Sequence, residues 1–168
     1  MFQELWRQIE AATDKNLPRV ITNIAERYDD IMLSHSTIPE EGVEFLVKLF
    51  SYERVLNSKG IEHFLLEINV DLIKYTPDQR MKLLQTLIQN AGAVTDQLGR
   101  HSIGDFIARG FPAELAFETF FAMSTGNSRE KHVAFVGLDV LRMREPKGSM
   151  LFKKIENTWS ELLKKIGR

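Results

Sequence analysis

Apolar residues recur along this chain at intervals of three and four, the spacing that gathers side chains on one face of an α-helix, rather than in the two-residue alternation of a half-buried strand. Leu5, Trp6 and Ile9 predict a short first helix. Leu17, Val20, Ile21, Ile24, Tyr28, Ile31 and Met32 share the stripe of a second, with Asn16 as its cap and Pro18 in the first turn, where a missing N–H costs nothing. Pro39 starts a third, whose inner face runs through Val43, Leu46, Val47, Leu49 and Phe50 toward Val55 and stops at the turn-forming Asn57-Ser58-Lys59-Gly60.

A fourth run, Ile61, Phe64, Leu65, Ile68, Leu72 and Ile73, halts before Thr76-Pro77-Asp78-Gln79, a capping box with proline at the first helical position. Met81, Leu84, Leu87, Ile88 and Ala91 form the next face, and Gly92 suits the left-handed residue just past a helix end. The stretch from Val94 to Ile107 reads as helix that glycines 99 and 104 are able to split. After Gly110-Phe111-Pro112 the period resumes at Leu115, Phe117, Phe120, Phe121 and Met123. Asn127 with Glu130 caps a helix carrying Val133, Val136, Leu138 and Leu141, and Pro146-Lys147-Gly148-Ser149 precedes the last, carrying Leu151, Phe152, Ile155, Trp159, Leu162 and Ile166. The expectation is an all-α fold: one domain spanning 1–168, with about eight or nine helices packed as successive antiparallel hairpins. No dividing linker and no repeat of fixed period interrupts it.

Composition agrees with a chain that folds alone, since 168 residues at 43% hydrophobic and 27% charged suffice for one core. The absence of cysteine excludes disulfides, thiolate metal sites and cysteine nucleophiles. Histidines 35, 63, 101 and 132 lack partners at ligand spacing, and serine elbows, phosphate-cradling glycine loops and calcium loops are missing as patterns. Glycines 99, 104 and 110 follow no strand, so helix packing explains them better than a dinucleotide loop. The reading is of no catalytic residues, no cofactor and no metal, with an enzyme of scattered site residues as the third choice. The first residues, Met1 to Arg7, lack the basic start and apolar run of a signal peptide, and no apolar stretch reaches bilayer length, which points to the cytoplasm.

Charge is where the sequence is uneven. The overall balance is −1, yet residues 142 to 168 carry eight basic groups, Arg142, Arg144, Lys147, Lys153, Lys154, Lys164, Lys165 and Arg168, against three acids. Between residues 26 and 53 the acids Glu26, Asp29, Asp30, Glu40, Glu41, Glu44 and Glu53 face only Arg27 and Lys48. If helices two and three pair antiparallel, Glu26, Asp29, Asp30, Glu40, Glu41 and Glu44 gather into a patch that steers a basic or DNA-binding protein partner. The plainer reading is a solvated face with acids near a helix start. The basic segment likewise has two readings. It is either a helix docked on the core, with lysines favoured near a helix C-terminus, or an amphipathic helix whose Arg142, Arg144, Lys147, Lys153, Lys154, Lys164 and Lys165 bind phosphates of nucleic acid or a membrane surface.

The segment from Glu53 to Leu65 resembles the signature of a bacterial family known for a DNA-mimic protein and built around a domain otherwise of unknown function. Glu53, Asn57, Gly60 and Phe64 stand where that signature asks for them, and Leu87 to Ala93 looks like its next helix end, so the likeness covers about residues 40–95. Lys59 and Ile61 depart from it, where a glycine and an aromatic are expected. The resemblance implies an all-helical, non-catalytic protein that works through a protein-binding surface, as an inhibitor, immunity factor or DNA mimic in which acidic side chains stand in for phosphates. The same residues also have an ordinary structural role available: a helix–helix turn at Asn57 and Gly60, a core ring at Phe64, and a cap or ion pair at Glu53.

Overall fold

The structure, a computed structural model, describes residues 2–166, so Arg168 of the basic segment lies outside the described residues. These residues form ten α-helices and no strand. They are α1 (Phe2–Ala11), α2 (Leu17–Leu33), α3 (Glu40–Leu49), α4 (Glu53–Leu56), α5 (Ile61–Val70), α6 (Pro77–Asn90), α7 (Gln97–Gly110), α8 (Ala113–Met123), α9 (Ser128–Arg144) and α10 (Met150–Ile166), with 3₁₀ turns at Leu72–Lys74 and Ala91–Ala93.

Local chemistry places most boundaries. Thr76 Oγ1 accepts from the N–H of Gln79 while Gln79 Oε1 accepts from the N–H of Thr76, and Asn127 with Glu130 repeats the exchange at α9. Asn16 holds the predicted place before α2 but makes no side-chain cap bond. The extra helix arises because α3 stops at Leu49. Ser51 Oγ donates to the Val47 carbonyl at 2.7 Å, Tyr52 turns extended, and Val55 falls in a separate one-turn helix. Gly92 is not left-handed; the one positive φ among the described residues is 107° at Gly60, where an added Cβ would meet the Pro18 carbonyl at 3.1 Å.

The fold is built around a row in which α7 lies between α5 and α9. α2 covers α5, and α8 and α10 cover α9. α3 rests on α6, and α1 braces both α2 and α3. Gly99 and Gly104 do not split α7. Gly104 is where its backbone meets α9 most closely, since a Cβ there would stand 2.9 Å from the Val133 carbonyl and 3.1 Å from the Gly137 nitrogen. Neighbours in sequence do pack at α1–α2, α8–α9 and α9–α10, but the pairs α2–α5, α5–α7, α7–α9 and α3–α6 skip helices. The expected α2–α3 pair is therefore replaced: α2 packs mainly on α5 and α1, and the two helices meet through an aromatic cluster in which Tyr28 stacks on Phe45 at 5.9 Å and Phe64 closes on both. Burial of large apolar side chains such as Phe50, Phe64, Phe106 and Phe120 stabilises the fold by roughly 1.5–3 kcal/mol each.

Candidate functional site

Helix α5 is apolar on two sides. Ile61, Phe64, Leu65 and Ile68 face inward and are fully buried. Leu66 and Val70 lie one turn apart on the outer side and are 53% and 77% exposed, and Ile73, in the turn that follows, is 92% exposed. Three-residue spacing through a 3₁₀ turn keeps Ile73 over Val70, so these side chains make one stripe. Ile73 thus leaves the core face on which its spacing placed it, while Leu72 takes the inward position and packs beside Gly110. Across a shallow groove of about 440 Å³, α7 adds Leu98 and His101 to the same side. Soluble proteins rarely leave aligned large apolar side chains this open without a partner.

One edge of the stripe is acidic. Asp29 of α2 and Glu67 and Asp71 of α5 and its C-cap bring carboxylate oxygens within 4.8 Å of one another. Partial burial, then the hydrogen bond and charge of Asp29, then the charge of Asp71 push the Glu67 carboxyl up to about 7, so on the acid side of neutrality Glu67 holds a proton that Asp29 accepts. Lys74 answers part of the charge, with Nζ 3.6 Å from Asp71 and 3.4 Å from the Met32 carbonyl. Behind the cluster the phenols of Tyr28 and Tyr75 meet at 3.3 Å, and burial raises both, Tyr75 to about 12.

The acids expected to form a patch on helices two and three are divided. Asp29 alone joins the cluster, while Glu26 and Asp30 are exposed on α2 without ion pairs among the described residues. Glu40 lies 3.9 Å from Lys82 and accepts from Gln79 Nε2 at 3.3 Å. Glu41 and Glu44 border an α1–α3 cleft of about 680 Å³ floored by Phe2, Trp6 and Phe45, in which Lys48 Nζ already sits 4.1 Å over the Trp6 ring. Glu67 and Asp71 escaped the sequence reading because they stand inside a run whose period marks it as core. An acid one residue after an outward Leu66 or Val70 was the only local hint.

In the basic segment, Arg142 donates to Asp139 at 2.7 Å, lies 3.4 Å from Glu156 and rests 3.8 Å over the Trp159 ring, which stacks on Phe135 at 5.6 Å. Arg144 donates to the Ala108 carbonyl, and Lys164 pairs with Glu161 at 3.4 Å. Lys147, Lys153, Lys154 and Lys165 remain exposed. With Ile155 and Leu162 buried, α10 is docked on α9; of the two arginines expected to meet phosphates, Arg142 serves that docking and Arg144 ties the end of α9 to α7.

Of the signature residues, Glu53 opens α4 and is exposed, Asn57 is the exposed C-cap of α4, Gly60 supplies the left-handed turn into α5, and Phe64 is fully buried. Two histidines that spacing does not connect also meet: the rings of His101 and His132 are 5.3 Å apart, and Arg100 Nε donates to His132 Nδ1 at 2.9 Å. Burial, Arg100 and His101 lower the His132 pKa. No helix among the described residues is long and apolar enough to cross a membrane. No family model, curated protein or solved structure matches the chain.

Proposed function

We propose that this chain is a cytoplasmic, non-enzymatic protein-binding module, and that its binding face is the α5 stripe with the α2 edge beside it. The observation that carries this reading is the exposure of Leu66, Val70 and Ile73 in one line on a helix whose opposite side is fully buried. A helix ordinarily turns one apolar stripe to the core and polar residues to water, and the second apolar line on α5 leaves the water only when something covers that side. The acid contribution expected from helices two and three is kept from α2 and transferred from α3 to α5. A role as inhibitor or immunity factor toward a basic or DNA-binding protein suits such a face, whereas the chain-wide balance of −1 disfavours replacing a long stretch of DNA.

The test is affinity capture from a lysate of the source cells with the wild-type chain and with the triple variant Leu66→Ser, Val70→Ser and Ile73→Ser, followed by hydrogen exchange on the recovered complex. The expected result is a partner held by the wild type, released by the triple variant, and protecting α5 from exchange. Charge reversal at Glu41 and Glu44 should leave capture intact. Identical captured sets for wild type and triple variant would overturn the reading.

A further inference from the structure

The exposed stripe and the carboxylates beside it specify a partner more narrowly than protein binding alone, and the inference rests on the α2–α5 reading above. Leu66, Val70 and Ile73 span about two helical turns, on the order of 10 Å, which is the reach of anchors at i, i+4 and i+7 on a facing helix. The charges on that edge are out of balance. Lys74 is held against Asp71, and neither Asp29 nor Glu67 has a cationic partner among the described residues. At the other end, Glu62 lies 3.6 Å from His63 and accepts from the Gly60 N–H at 3.0 Å, so a further carboxylate stands there.

We infer that this face seats a basic amphipathic helix of a partner protein, its apolar anchors on Leu66, Val70 and Ile73 and a lysine or arginine beside them entering between Asp29 and Glu67. Charge complementarity selects this occupant. A second copy meeting this face with its own would set one acidic edge against another, and an anionic membrane surface would be repelled by the carboxylates that flank the stripe.

Docking is linked to a proton. The groups facing Glu67 are Asp29 from α2, Asp71 and Lys74 from the cap and turn after α5, and the Tyr28 and Tyr75 phenols behind them. In the free chain the proton on Glu67 relieves the crowding with Asp29; an incoming cation does the same work and displaces it. Protonation of Glu67 therefore competes with the partner, and affinity rises as pH climbs through 7.

The full-length chain is titrated calorimetrically with a synthetic eighteen-residue amphipathic peptide carrying leucines at i, i+4, i+7 and i+11 and lysines along one flank. A control peptide has glutamates in place of the lysines. The lysine peptide is expected to bind at pH 8, about tenfold more weakly at pH 6, and with release of about one proton at the lower pH. Glu67→Gln should bind with no such pH dependence, and the Leu66→Ser, Val70→Ser, Ile73→Ser variant should not bind. Equal binding of the glutamate peptide, retention of binding by the triple variant, a wild-type dimer that the triple variant dissociates, or stripe-dependent binding to phosphatidylserine vesicles would each overturn the inference. Loss of lysate capture in the triple variant alongside pH-independent peptide binding would sink the basic-helix partner and leave the protein-binding reading standing. Unchanged lysate capture would remove that reading itself.

Discussion

Glu67 on α5 and Asp29 on α2 meet carboxyl to carboxyl, and the proton that Glu67 keeps up to about pH 7 joins the two helices at the edge of an open apolar stripe. Like charges this close resist joint ionisation, so this contact weakens as its proton leaves.

The consequence for stability has a definite sign. The folded Glu67 carboxyl titrates above its ordinary value of 4.5, so its contribution is complete below that pH and is lost as pH rises through about 7. Glu67→Gln removes this loss. Thermal melts of the two proteins should coincide near pH 4 and diverge above pH 7, with the variant melting higher; a wild type that melts higher at pH 8 contradicts the shared proton.

His132 works in the other direction. Its folded pKa lies below the ordinary 6.5, so protonation favours the unfolded chain and stability falls as pH drops beneath that value. His132→Gln should flatten the acid limb of the melting profile and leave the alkaline limb alone. An unaltered acid limb would show that His132 is not held neutral by its burial and by the neighbouring Arg100.

Replacing Leu66, Val70 and Ile73 by serine should change stability by no more than about 0.5 kcal/mol per site, because the side chains already face solvent. Phe64→Ala, one turn away on the buried side, should cost about 3–5 kcal/mol. Urea unfolding measures both. A large loss in the serine variants would mean that the stripe is part of the core and has no partner to find.

Gly104→Ala tests the α7–α9 crossing. Its methyl would meet backbone at 2.9 and 3.1 Å, and backbone cannot rotate aside as a side chain does, so a loss of about 1–3 kcal/mol is expected in urea unfolding. A neutral result would show that the helices separate there at no cost.

Removing the caps should be costly on a similar scale. Thr76→Ala is expected to lose about 1 kcal/mol. Asn127→Ala should lose at least as much, since Asn127 also donates to the Gly92 carbonyl at 3.2 Å and so ties the α9 start to the end of α6. Urea midpoints for the two variants check the order, and equal losses would mean that the Gly92 bond contributes nothing.

The helical class, the boundaries at Thr76 and Asn127 and the inward faces were legible in the sequence, because helix period and capping are decided by residues within a few positions of one another. Packing overrode the local signal at several positions. Val55 continued the apolar spacing of α3, yet that helix stops at Leu49, where the Ser51 hydroxyl takes the Val47 carbonyl; Gly99 and Gly104 resembled breaks, yet what they permitted was close approach, of Gly99 to Ile61 on α5 and of Gly104 to α9. Period alone likewise put Ile73 on the buried face, and no local rule says that a second apolar line on α5 stays uncovered.

The candidate site belongs to this second kind of information. Asp29 was identified as an acid of interest, but Glu67 is far along the chain from it, and their meeting depends on α2 lying over α5 instead of pairing with α3. The basic segment shows the same division: its charge was visible at once, while the engagement of Arg142 with Asp139, Glu156 and Trp159 required α10 to be seated on α9. Residues close together in the chain suffice to make a set of amphipathic helices with given faces and ends. Which helices touch, and therefore which charges crowd together and which apolar side chains are left in water, follows from packing between segments distant in the chain.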